Sequence, residues 1–140
     1  VISETATEGD ERKKIDVLMN KLAKFAKEFN IILFVVVHVK KSENGSVSFE
    51  MGAVPNMDDA KGSSSIKQAS WDMFALSRNQ QHSNEYCRNV TKLTVLKCRL
   101  TGDTGVADYI YYNKLTGRMN EVDEPQGYIE EVVKKRGNFR

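Results

Sequence analysis

The sequence predicts an α/β fold: a mainly parallel sheet with helices, extended at its C-terminal end by an antiparallel hairpin. Three observations predict it. Apolar residues fall at Ile15, Leu18, Met19, Leu22, Phe25, Ala26 and Phe29, gaps of three and four that place them on one face of a helix. Ile31 to Val37 follows directly as an unbroken apolar run with no alternation, the pattern of a parallel strand buried on both faces between helix layers. Segments 91–99, 106–114 and 118–122 read as strands, and Leu115-Thr116-Gly117 supplies a hairpin turn between the last two.

Each element has its own signals. Asp10 is placed to cap the first helix, and Glu11 suits the positive end of its dipole. Lys13, Lys14, Lys21, Lys24 and Lys27 lie mostly off the apolar face, and Asn30 suits the helix end. A helix followed by a buried strand is half of a β-α-β unit, with Val1 and Ile2 as the tail of the strand before it. Residues 40–55 hold Ser, Asn and Gly without periodicity and read as a long loop, a kind of segment that often carries function. Gly62 and Ser63 open a short helix over 64–70, Met73 to Ser77 reads as a strand, and 78–89 as a polar loop. Residues 101–105, Thr-Gly-Asp-Thr-Gly, form a tight connection. Beyond Pro125, the side chains of Tyr128, Ile129, Val132 and Val133 share a face of a short helix that ends in Lys134-Lys135-Arg136.

Composition narrows the class. The chain has 140 residues, 40% hydrophobic and 29% charged, enough for one modest domain with a core. A formal net charge of +2 is too small to argue for nucleic-acid binding, so that argument has to be local. Two cysteines do not make a disulfide framework and fit a reducing compartment. The first ten residues do not form a signal peptide, and the longest apolar run is too short to span a bilayer. A soluble intracellular chain is expected.

Candidate chemistry sits at strand ends. His38 follows the apolar run, and in open α/β sheets ligands lie beyond the carboxyl ends of strands. An imidazole there can donate to a phosphate oxygen; the plainer reading is a histidine satisfied by backbone. Lys40 and Lys41, with Asn44 and Gly45, could meet a phosphate backbone, or form an exposed basic loop. Lys97 and Arg99 alternate along a strand, so their side chains point the same way about 7 Å apart. Together they can clamp a polyphosphate, against the plainer reading of a solvated strand face. Arg78 and the tyrosines 109, 111 and 112 could hold a flat base between guanidinium and ring, or simply cover the hairpin. The sequence contains no Gly-x-x-x-x-Gly-Lys-Ser/Thr loop and no metal-ligand spacing among His38, His82, Cys87 and Cys98.

Six stretches in order carry a resemblance: 9–16 (Gly-Asp-Glu-Arg-Lys-Lys-Ile-Asp), 36–40 (Val-Val-His-Val-Lys), 62–68 (Gly-Ser-Ser-Ser-Ile-Lys-Gln), 77–81 (Ser-Arg-Asn-Gln-Gln), 96–105 (Leu-Lys-Cys-Arg-Leu-Thr-Gly-Asp-Thr-Gly) and 112–117 (Tyr-Asn-Lys-Leu-Thr-Gly). Over about residues 1–122 the chain resembles the podovirus-type primase–helicases, and more distantly the Twinkle and DnaB hexameric replicative helicases. The resemblance implies the C-terminal part of a RecA-like motor domain over 1–124, with a tail over 125–140. It implies that His38 is the γ-phosphate sensor and that Gln68 couples DNA contact to the nucleotide site. Arg99 is implied to be an arginine finger acting on the neighbouring subunit's nucleotide, with Lys97 beside it. Arg78 and Tyr112 match the positions that sandwich adenine. Lys40 and Lys41 begin the loop that holds single-stranded DNA; Lys61 and Lys67 are further DNA-side candidates, with Asn44 in the loop.

The implied substrate is ATP or dTTP with Mg2+, held mostly by residues outside this chain. The implied partners are single-stranded DNA, further copies in a ring, expected to be a hexamer, and a replisome polymerase, with no membrane. The setting is the cytoplasm of a phage-infected bacterium. The resemblance places Val1 just beyond where the family's Walker B aspartate should stand, so the phosphate-binding loop and catalytic glutamate are expected elsewhere and the isolated chain is expected to be inactive. Three departures stand out: Lys61 replaces a family arginine, the channel loop has fewer lysines, and the tail is mixed in charge where relatives' tails are acidic. The competing readings are a stand-alone nucleic-acid- or protein-binding module without ATPase activity, and a RecA-type recombinase. The Lys-Cys-Arg strand and the Arg-Asn-Gln-Gln element favour the helicase over the recombinase.

Overall fold

A computed structural model describes residues 8–41, 48–61 and 64–128. Asn44 and the segment 129–140, including the expected apolar face at Ile129, Val132 and Val133, lie outside the described residues, as do Val1 and Ile2. The chain divides into two units, residues 1–40 with 57–71 and residues 41–56 with 72–140.

In the first unit, helix α1 spans Glu8–Phe29, so Asp10 lies inside the helix rather than at its cap. The helix ends where expected: Asn30 adopts φ 50°, a left-handed conformation that asparagine tolerates better than most residues. The Ile31 N–H then closes back on the Ala26 carbonyl at 3.0 Å, the kind of bond that satisfies a terminal carbonyl. Met19 is buried and Ile15, Leu22, Ala23 and Ala26 half-buried, while Leu18, Phe25 and Phe29 on the same expected face are exposed. α1 packs against α2, Ser64–Ala69, through whose buried Ile66 the short helix is anchored.

Ile31 to Val37 departs from expectation. The segment belongs to no strand ladder, and Ile32, Phe34 and Val36 are 85%, 82% and 93% exposed. A strand is held by ladder partners on its edges, and among the described residues none flanks this one. The expected parallel, doubly buried strand is therefore corrected to a segment with no strand partner among the described residues. The chain regains pairing at Val39, which bridges Ala60.

The second unit carries the sheet. Its strands are β1 (Asp72–Ser77), β2 (Val90–Cys98), β3 (Gly105–Asn113) and β4 (Arg118–Val122), in the order β1-β2-β3-β4. Every pairing is antiparallel, so among the described residues the expected mainly parallel sheet is replaced by an antiparallel one. The α/β class stands. Asn113 Oδ1 accepts from the Leu115 and Thr116 N–H groups at 2.9 and 3.2 Å, and Gly117 takes φ 69°, which together make the hairpin turn.

Residues 78–89, expected as loop, contain the one-turn helix α3, Glu85–Arg88. Composition hides it: its stability comes from a cap, Asn84 Oδ1 accepting from the Tyr86 N–H at 2.8 Å. α3 covers one sheet face, where Cys87, Val90, Tyr109 and Tyr128 form the buried cluster, with Tyr111 and Val122 against it. Ser77, Lys92, Tyr109 and Val122 form one cross-strand row, so paired residues share a face. Residues 48–53 are tied on by a Met51–Asn79 bridge and a bond from the Gln80 N–H to the Glu50 carbonyl. Gly52 permits this: it has φ 89°, and a Cβ there would sit 3.0 Å from Asn79 Cβ.

Candidate functional site

The first unit gathers four of the expected residues around a short 3₁₀ turn, Met57–Asp59. The His38 carbonyl accepts from the Lys61 N–H at 2.7 Å, and the Lys40 N–H donates to the Asp59 carbonyl at 2.7 Å. These two bonds flank the Val39–Ala60 bridge and close the base of the long loop. Lys40 Nζ donates to the Asp58 carbonyl at 2.9 Å. Lys67 Nζ, from α2, meets the Asp58 carboxylate at 3.1 Å. His38, Lys40, Lys61 and Lys67 thus share one neighbourhood. The Lys67–Asp58 pair is solvent-exposed, with side-chain exposures of 40% and 80%, so it contributes little stability and yields readily to a competing anion. Gln68 sits on α2 and is exposed. Asp58 was not among the sequence candidates; no motif marks it, and only the fold brings it to the lysines.

The second unit holds the remaining candidates, apart from Asn44, which is not described. Lys41 is exposed at the start of its range. Lys97 lies on β2 opposite Met73. The strand ends at Cys98, so Arg99 stands in the following turn rather than continuing the alternation, and its N–H donates to Asp72 Oδ1 at 3.3 Å. Leu100, next in that turn, is 85% exposed. Beside this turn an open cleft of about 350 Å3 is lined by Phe74, Val95, Cys98 and Val106, with Asp72 and Asp103 also at its wall.

Arg78 is half-buried just past β1, and Tyr112 half-buried on β3, its N–H donating to the Asn89 carbonyl at 2.9 Å. By strand alternation Tyr112 points to the face opposite Tyr109 and Tyr111. Arg78 is close enough to Tyr128 to favour its ionised form, but burial dominates and raises that phenol above its ordinary range. No cation–π contact joins Arg78 to Tyr112 among the described residues; Lys92 makes such contacts, 6.0 Å from the centre of the Tyr109 ring and 5.5 Å from that of Tyr128. Sequence reading missed Lys92, because nothing in a strand's spacing says which aromatic ring a lysine will lie across.

No family model matches the chain. Over 128 residues, 91% of its length, it is 41% identical to a DNA helicase/primase of Enterobacteria phage T3. The chain spans 21% of that protein. No helix among the described residues is long and apolar enough to cross a membrane.

Proposed function

We propose, from descent shared with one segment of the podovirus primase–helicases, that this chain is the C-terminal part of a RecA-like motor of a hexameric replicative DNA helicase. The observation that carries this is the 41% identity to the phage T3 helicase/primase across 91% of the chain. The gathering of His38, Lys40, Lys61 and Lys67 around one loop base supports it. In this reading Ile31 to Val37 takes its place in a parallel sheet with strands supplied from outside this chain.

Phosphoryl transfer asks the protein for position and charge neutralisation. Lys97 and Arg99 fit the phosphate end of a nucleotide: two cations at the end of β2, with Arg99 anchored by its own backbone to Asp72. Arg99 stabilises the charge that develops on a neighbouring copy's nucleotide, and Lys97 assists. Arg78 and Tyr112 hold the base. The substrate is ATP or dTTP with Mg2+; the metal arrives with the triphosphate.

His38 senses the terminal phosphate. Its carbonyl is bonded to Lys61, and Lys40 to Asp59, so a change at the imidazole reaches the DNA loop through one bridge. Lys40, Lys41, Lys61 and Lys67, with Asn44, contact the backbone of single-stranded DNA, and Gln68 links that contact to the nucleotide. Binding through lysines to phosphates is sequence-tolerant and weakens with salt.

The test is a chimera in which this chain replaces the homologous segment of the phage T3 protein. The chimera is expected to unwind DNA and to hydrolyse nucleotide faster with single-stranded DNA present. Arg99→Ala is expected to lower that hydrolysis by about 10³-fold or more while leaving DNA binding in place. A folded chimera that binds DNA but never hydrolyses nucleotide would favour a binding module instead.

A further inference from the structure

The motor reading leaves one feature of the second unit without a role. Tyr86 on α3 and Tyr111 on β3 stack with ring centres 4.6 Å apart and planes within 17°. Tyr111 is packed on the buried cluster and cannot turn freely, whereas Tyr86 is 42% exposed. One face of the Tyr86 ring is therefore taken by Tyr111, while the residue keeps 42% of its surface open to solvent. The backbone that carries the ring is held by the Asn84 cap, whose Oδ1 accepts from the Tyr86 main-chain N–H at 2.8 Å. A base meeting this ring would not have to order it first.

Cations stand beside the stack. Arg118 lies opposite Asn113 in register, and Tyr111 opposite Asn120, so by alternation Arg118 shares the sheet face of Tyr111 two positions along. Lys114, in the turn between them, has an ammonium 3.5 Å from Glu85, with side chains 60% and 71% exposed. That pair is solvated and weak, so a phosphate can replace the carboxylate at small cost. A flat ring with cations spaced along one side is the arrangement that takes a base together with its neighbouring phosphates.

We infer that Tyr86 is a stacking platform for a base of single-stranded DNA, with Lys114 and Arg118 engaging the adjoining phosphates. The inference rests on the reading that the chain handles single-stranded DNA. It adds a contact separate from the loop at Lys40 and from the base-holding pair Arg78 and Tyr112.

The experiment measures binding of a labelled oligo-dT strand to the full chain by fluorescence anisotropy across a salt series. Tyr86→Leu keeps apolar cover over Tyr111 but removes the π-face, and is expected to weaken binding about 5- to 100-fold. Tyr86→Phe keeps the ring and is expected to bind within about twofold of the parent, since stacking uses the ring face and not the hydroxyl. Lys114→Gln is expected to flatten the salt dependence by about one released ion. Unfolding curves of all three variants show whether a loss of binding accompanies a loss of fold; equal stability of the leucine and phenylalanine variants with unequal binding supports the platform. Equal binding by those two variants overturns it. A tyrosine-dependent loss confined to dTTP, with oligo-dT unaffected, overturns the assignment to DNA. Failure of the parent chain to bind oligo-dT also overturns it, and the Arg99 result in the chimera then decides the motor reading on its own.

Discussion

Tyr109 shows how one residue ties the sheet to its surroundings and to pH. Only 8% exposed, it lies between Lys92 at 6.0 Å and the Tyr128 ring, which it meets edge-on at 5.7 Å. Burial raises its ionisation above the ordinary tyrosine range, and hydrogen bonding to Glu124 and that group's charge raise it further. Tyr128 shifts the same way, again chiefly through burial. The folded chain therefore holds these protons more tightly than the unfolded chain, where tyrosine ionises near about 10. The resulting stability is complete below that pH and is lost as pH climbs towards the folded values. Thermal unfolding is expected to show a flat midpoint across the neutral range and a steep fall once pH passes about 10. Tyr109→Phe should make that alkaline fall shallower, and an unchanged slope would show that Tyr109 does not drive it.

Among the elements, α3 depends most on a single side chain. Four residues cannot sustain a helix by propensity, and Asn84 supplies the cap while Asn89 Nδ2 bonds the Glu85 carbonyl at 3.0 Å. Asn84→Ala is expected to cost about 1 kcal/mol, read as a lower denaturant midpoint with unchanged slope. This dependence explains why α3 was not legible in the sequence: the signal is one cap in a polar stretch, not a period. The later strands were legible because each carries several residues of strand pattern and the turn at 115–117 has its own chemistry. Val90 to Cys98 and Gly105 to Asn113 accordingly fall within a residue of where the sequence puts them. Ile31 to Val37 was legible as an apolar run, but burial depends on partners, and the sequence of one strand does not say where they come from. For the candidate site, the sequence indicates residue types at strand ends and the resemblance supplies their roles. That Lys40, Lys61 and Lys67 meet at Met57–Asp59 depends on a chain reversal with no motif.

Viewed as a whole, the molecule exposes more large apolar side chains in its first unit than its core there can explain. Leu18, Phe25 and Phe29 on α1, and Ile32, Phe34 and Val36 after it, all present substantial surface. Exposed large apolar side chains in this number mark surface that another polypeptide covers, or surface prone to association. The triple change Ile32→Thr, Phe34→Ser and Val36→Thr is expected to alter the unfolding free energy of the isolated chain by less than about 1 kcal/mol, since solvated side chains contribute little. It should also reduce light scattering at high protein concentration. In the chimera with the phage T3 protein, the same change should destabilise strongly if the segment becomes an interior strand. Comparing the two contexts separates a surface that is merely exposed from one that awaits neighbours.

The two cysteines differ in a way that governs how the protein ages. Cys87, on the buried side of α3, is 1% exposed, while Cys98 is half-buried at the wall of the cleft beside Arg99, its sulfur accepting from the Thr101 hydroxyl at 3.3 Å. Air oxidation of the folded chain is therefore confined to the second sulfur, and with one reactive thiol per molecule it stops at a covalent pair of chains. Longer chains of crosslinks require the first sulfur to emerge, so a ladder beyond the pair is a chemical record of how often the tyrosine-lined core has opened.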